Sequence, residues 1–198
     1  MTASAREIVD FWLNQVGPAG WYGGGEALDE RIRRRYLLTW KAARGGAFDH
    51  WRGTPAGALG LLILIDQFPR NMFRGSGLSF ATDARARRIA RMAIASGHDL
   101  ATPLEARNFL YLPFAHSEAM ADQDFCVHLA HSRMGPPTPD RGLHAEAHRA
   151  VIARFGRFPY RNDALGRVST PEEVAWMEEG GYMVEVRRLQ AERAGRAA

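Results

Sequence analysis

One cysteine, Cys126, in 198 residues leaves no internal disulfide to hold the fold. Stability must come from an apolar core, and a chain of this length buries roughly 70% of its unfolded surface without covalent staples. A single domain in a reducing, cytoplasmic setting is the expectation. Lysine is as scarce as cysteine: Lys41 stands alone, so the net charge of +4 and the pI near 9.7 rest on arginine. Those arginines alternate with acids; Arg31, Arg33, Arg34 and Arg35 follow Glu26, Asp29 and Glu30. Basic tails, zinc-ligand spacings and aromatic-interleaved basic strands are missing, which argues against nucleic acid as a partner. Long apolar runs are missing too. Ala58 to Ile65 is the longest, far short of the roughly 20 residues that span a bilayer. Met1 to Ala19 carries Glu7 and Asp10 without an apolar core, so neither a signal peptide nor a membrane partner is expected.

Alternating strand patterns with hairpin turns are absent as well, and helical signals fill the chain. Ser4 and Glu7 form a capping box ahead of Ile8, Phe11, Trp12 and Gln15. Gly17-Pro18 and Gly23-Gly24-Gly25 then place Trp21 and Tyr22 on a loop. Asp29 is read as the cap of a helix to about Ala43, with Ile32, Tyr36, Leu37 and Trp40 inward. Thr54-Pro55 opens a helix to about Gln67 that is apolar on nearly every side and so central. Thr82-Asp83 starts another, with Ala86, Ile89, Ala90 and Ala93 on one stripe and Gly97 at its end. Thr102-Pro103-Leu104-Glu105 reads as a capping box, and Pro113 as a kink or a restart. Asp122 or Asp124 lies near the start of the next helix. Gly135 to Pro139 is a stiff linker, Leu143 to Phe155 a helix, and Thr170-Pro171-Glu172-Glu173 a further capping box. The tail beyond Tyr182 is weakly helical and frays from about residue 190. The fold class read from this pattern is all-α, with about eight to ten helices.

One phrase occurs twice. Phe68-Pro69-Arg70-Asn71 is echoed by Phe158-Pro159-Tyr160-Arg161-Asn162, each after an apolar helical run and each at a proline where that helix is expected to stop. Arginine and asparagine at such ends suit carbonyl capping and a left-handed turn. With Phe80-Ala81-Thr82-Asp83, Phe109 through Glu118, His148-Arg149, Arg154 through Asn162, and Leu165-Gly166-Arg167 followed by Ser169 through Glu173, the phrase gives a resemblance. The chain resembles a bacterial family catalogued as domain of unknown function 924, over roughly Ser4 to Gly181. The resemblance implies a tetratricopeptide-like stack of antiparallel helix pairs and carries no established activity. Tyr160 stands where members of that family often have histidine, so that position is no obligatory proton carrier. Gly23-Gly24-Gly25 stands where charged residues are common, which moves the site away from that loop.

Four polar clusters interrupt the apolar helix ends: Asp66, Arg70, Asn71 and Arg74; His116, Ser117 and Glu118; His144 and His148; Arg157, Arg161 and Asn162. In a stack of helices such ends can converge on one pocket, and arginine grips carboxylate or phosphate in bidentate fashion. A small anionic ligand is therefore the expected partner. His116 or His148, with Glu118 or Asp66 as orienting carboxylate, is the candidate for proton transfer, and His116 with Glu118 is the first choice. The competing reading makes the phrases architectural and the protein a scaffold that holds a peptide in a groove. His144 and His148 have the i, i+4 spacing of a helical metal pair, yet His144-Ala145-Glu146-Ala147-His148 departs from the zincin order, so no metal is expected. No dinucleotide fingerprint or nucleophile elbow is present, so no cofactor is expected. Cys126, between Phe125 and Val127, reads as a core residue.

Overall fold

The computed structural model describes residues 2–136, 138 and 140–197. Among these, every regular element is helical. Contacts divide the chain into two compact units, 1–113 and 114–198. Pro137 and Pro139 of the expected linker lie outside the described residues.

The first unit holds α1 (Ala5–Asp10), α2 (Gly17–Gly23), α3 (Glu26–Arg44), α4 (Pro55–Leu62), α5 (Phe68–Met72), α6 (Asp83–Ala95) and α7 (Leu104–Arg107), and α8 (Leu112–Ala115) lies at its boundary. Ser4 and Glu7 close the expected capping box, and the Thr54 hydroxyl accepts the Gly57 N–H ahead of Pro55. Pro113 sits in the first turn of α8, so it restarts the helix. Trp21 and Tyr22 lie on α2 rather than on a loop, and the Trp21 indole N–H reaches back to the Trp12 carbonyl at 2.8 Å. Helix α3 begins at Glu26 with Gly25 as its cap. Asp29 is therefore one turn inside it, with its carboxylate turned to other work.

The core of this unit is aromatic. Phe11, Tyr36 and Phe68 meet with ring centroids 5.1, 6.0 and 4.7 Å apart, and Trp12 stands edge-on to Phe68 at 5.5 Å. Such pairs add to the large area each ring buries. Residues Ala58 to Ile65 of the central helix are all buried, as expected of a helix apolar all round. Gly60 lets α1 approach closely: a Cβ there would lie 2.7 Å from the Ala5 carbonyl oxygen.

The proline of the first phrase does not end its helix. The chain stays helical from Pro55 to Met72 because residues Ile63–Gln67 widen into a π turn, with the Phe68 N–H bonding the Ile63 carbonyl. Proline at position 69 lacks an N–H and crowds the carbonyl four residues back. That carbonyl, Ile65, accepts the Thr82 hydroxyl at 2.5 Å instead. Thr82 thus serves the neighbouring helix and gives α6 no side-chain cap, though α6 starts at Asp83 as expected and buries Ala86, Ile89, Ala90 and Ala93. Thr102 behaves alike. Its hydroxyl bonds the His98 carbonyl, and the capping box read from Thr102 to Glu105 does not form.

The second unit holds α9 (Met120–Arg133), α10 (Leu143–Phe155), α11 (Pro171–Glu178) and α12 (Tyr182–Ala197). Helix α10 has the expected bounds and stops at Gly156 (φ 68°), whose left-handed conformation suits glycine. Val151, Ile152, Phe158 and Trp176 form one buried cluster, and Leu143, Ala147, Val186 and Leu189 another. The segment after Tyr182 is therefore a packed helix along Val186 and Leu189. Thr170 and Glu173 close the second capping box. Cys126 is buried, and that burial pushes its thiol up to about 12, so it stays a protonated core residue.

Candidate functional site

The first phrase is tied into the first unit on every side. Arg70 donates to the Ser79 carbonyl at 2.6 Å and to Asp83 at 2.8 Å, lies 3.8 Å from the buried Asp66, and stacks on Phe80. Asp66 also accepts the Gln67 side-chain amide at 2.6 Å. Asn71, next in the chain after Arg70, and Arg74, one turn on, converge on Asp29, at 2.8 Å for the amide and 2.7 and 3.0 Å for the guanidinium. Burial raises the Asp29 pKa, but the bonds from Arg74 and Asn71 outweigh it and hold the carboxyl below its ordinary value.

The second phrase repeats this arrangement within the second unit. Arg161 donates to a backbone carbonyl, that of His116, at 2.9 Å and stacks on Phe158. Asn162 and Arg157 converge on Glu173, with Asn162 at 3.3 Å and Arg157 in a fork at 2.6 and 2.7 Å. Arg157 chiefly, then the Thr170 N–H, hold the Glu173 carboxyl down at about 2. Only 2% of Glu173 is exposed. In both copies arginine holds a carbonyl and asparagine shares a carboxylate with a second arginine. Neither asparagine adopts the left-handed conformation expected of it, since every residue with positive φ among those described is glycine.

His116, Ser117 and Glu118 separate in role. The Ser117 hydroxyl donates to Asp122 at 2.7 Å and accepts the Ala119 N–H, a local turn. Glu118 accepts the Phe158 N–H at 2.9 Å and a fork from Arg167 at 2.7 and 3.0 Å. Burial raises its pKa, but the Arg167 fork and the Phe158 N–H prevail and keep it ionised. Glu118 therefore braces the second phrase and does not orient His116.

The imidazoles form a cluster of their own within the second unit. The His116 and His148 ring centroids are 6.3 Å apart. His148 also lies 4.7 Å from Tyr182 and 5.7 Å from Phe158, and His144 stacks on Tyr182 at 6.0 Å. His148 Nδ1 is 2.7 Å from the His144 carbonyl. A carbonyl only accepts, so Nδ1 carries the proton and Nε2 the lone pair. That Nε2 makes no hydrogen bond among the described residues, yet it is not among the polar atoms sealed from solvent. The residue is half-buried, with the Phe158 and Tyr182 rings packed against it. This desolvation, reinforced by the neighbouring charges of His116 and Arg161, pushes the imidazole down to about 3. The His144 Nδ1 meets the Tyr182 hydroxyl at 2.8 Å, so the i, i+4 pair is used for internal bonding. Among the described residues no group of three or more His, Cys, Asp or Glu is placed to hold a metal.

Sequence reasoning missed Asp29, Asp83, Arg167, Glu173 and Tyr182 as members of these networks. Asp83, Arg167 and Glu173 stand in the quoted motifs, but their partners lie up to 49 residues away, and Tyr182 carries no charge to mark it. An open depression of about 440 Å³ lies over the Arg157–Glu173 pair, lined also by Arg154, Phe155, Thr170 and Glu172. Its arginines are both paired, Arg154 with Glu172 at 3.0 Å.

Fold and side chains together define an all-helical protein with two carboxylate-holding networks and one histidine–tyrosine cluster. The chain belongs to DUF924, a bacterial protein family of unknown function, whose match spans residues 8–181. It is similar to a solved structure, the protein of unknown function ATU0120 from Agrobacterium tumefaciens. The two share 42% identity over 89% of this chain and 97% of that one, with a TM-score of 0.83. Among curated proteins none matches the chain.

Proposed function

We propose that this protein binds a small anionic ligand at the cluster of His116, His148 and Tyr182, with Arg161 supplying positive charge beside it. The observation that carries this reading is His148 Nε2, a ring nitrogen in reach of solvent with no partner among the described residues. A ring nitrogen turned to solvent can exchange its water for a ligand atom at little cost. Arg70, Arg74 and Arg157 are bonded within their own units, and the proposal gives them a structural role. The neutral His148 at pH 7 serves as a hydrogen-bonding group; with its imidazole at about 3 it is too weak a base to drive proton abstraction.

Titration of acetate and phosphate while observing the histidine ring resonances tests this. Signals of His116 and His148 should move, and His116→Ala should abolish the response. Response confined to other residues, or none, would leave the second reading: a scaffold with the tetratricopeptide-like stacking that the family resemblance implies. That reading is favoured by the internal commitment of the phrase arginines and by the exposed Val168, Val174 and Met177.

A further inference from the structure

The tautomer of His148 narrows the ligand, given the reading above. The His144 carbonyl fixes the proton on Nδ1, so the atom offered at Nε2 is a lone pair. A ligand oxygen that is only an acceptor would set lone pair against lone pair there. A ligand that donates an O–H would complete the nitrogen. We infer that the ligand is an oxyacid anion that keeps a proton at neutral pH, of the hydrogen phosphate type, with its O–H donated to His148 Nε2 and its charge facing Arg161.

Protonating the ring instead, so that it could donate to a bare oxyanion, is opposed by what surrounds it. The Phe158 and Tyr182 rings pack against it at centroid distances of 5.7 and 4.7 Å. The titratable and charged groups around it are His116, His144, Tyr182 and Arg161. None is an acid that would stabilise an imidazolium, and burial with the adjoining positive charge already holds the imidazole low. A site that presents an acceptor discriminates on the ligand's proton, because an analogue lacking it leaves the polar group unpaired.

The test compares inorganic phosphate with sulfate by calorimetry on the full chain at pH 7 and equal ionic strength. The two anions are close in size and shape, but only phosphate retains a proton there. Phosphate should bind about tenfold tighter or more. His148→Gln, whose side-chain carbonyl can accept, should retain that preference, and His148→Phe should lose it. Sulfate binding as tightly as phosphate while shifting the same ring signals would overturn this inference and leave the anion site standing. If neither anion shifted those signals, the anion site itself would fall. A second measurement needs no variant. Nitrogen chemical shifts of the His148 ring in the unliganded protein should show Nδ1 protonated and Nε2 bare, and the reverse tautomer would overturn the inference directly.

Discussion

Replacing His148 by phenylalanine should reduce the acid sensitivity of the fold. In the folded protein the imidazole lies at about 3, against 6.5 for an unperturbed histidine. As pH falls through 6.5 the unfolded chain takes up a proton that the folded chain refuses until about 3. Stability is therefore lost progressively across that window and is fully present above it. Between pH 7 and pH 5 a fully desolvated ring would cost the fold roughly 2 kcal/mol. His148 is only half-buried, so screening reduces the effect to about 1 kcal/mol. In a domain of this size that corresponds to roughly 2–4 °C in Tm. Urea unfolding of wild type and His148→Phe at both pH values gives the double difference, in which other titrating groups cancel. The variant should lose about 1 kcal/mol less than wild type on acidification. An equal loss in both proteins would show that the ring is solvated in the folded state.

Three other outcomes follow from the packing and the networks. Leu62→Ala, at a fully buried position on α4, should cost about 2–5 kcal/mol by lost burial and cavity formation, and an unchanged denaturation midpoint would make that helix peripheral. Arg167→Ala removes the fork on the half-buried Glu118 and should cost about 1–3 kcal/mol; it should also raise the Glu118 pKa, read by carboxyl NMR titration, and an unmoved pKa would contradict the pairing. Thr82→Val deletes the hydroxyl that serves the Ile65 carbonyl beside Pro69 and should cost about 1–2 kcal/mol, whereas stability equal to wild type would mean that the π turn satisfies that carbonyl alone.

Much of the helical framework was legible because its signals are local. The capping boxes at Ser4 and Thr170, the first-turn prolines at 55 and 171, and the glycine ends at 97 and 156 all act within a few residues. The errors arose where a side chain answers to something distant. Thr82 looks like a cap but bonds a carbonyl 17 residues back, and Asp29 looks like a cap but receives Asn71 and Arg74 from more than 40 residues on. The π turn before Pro69 leaves no mark on the sequence, because Ile63, Leu64, Ile65 and Asp66 are all buried and the apolar run around them shows no periodicity from which a pitch could be read. The repeated phrase was visible, while its use in holding Asp29 and Glu173 needed coordinates. His116 and His148 were legible as candidates. That Glu118 belongs to Arg167, and that Tyr182 joins the histidines, depended on segments far apart in the chain.

The central claim is that ligand recognition belongs to the histidine cluster and structure to the arginine phrases. The most direct test is the affinity for inorganic phosphate at pH 7 of wild type, His116→Ala and Arg74→Ala, all confirmed folded by circular dichroism. His116→Ala should weaken binding about tenfold or more, while Arg74→Ala, whose partner is Asp29, should bind as wild type. Loss of binding in Arg74→Ala with His116→Ala unaffected would contradict the claim.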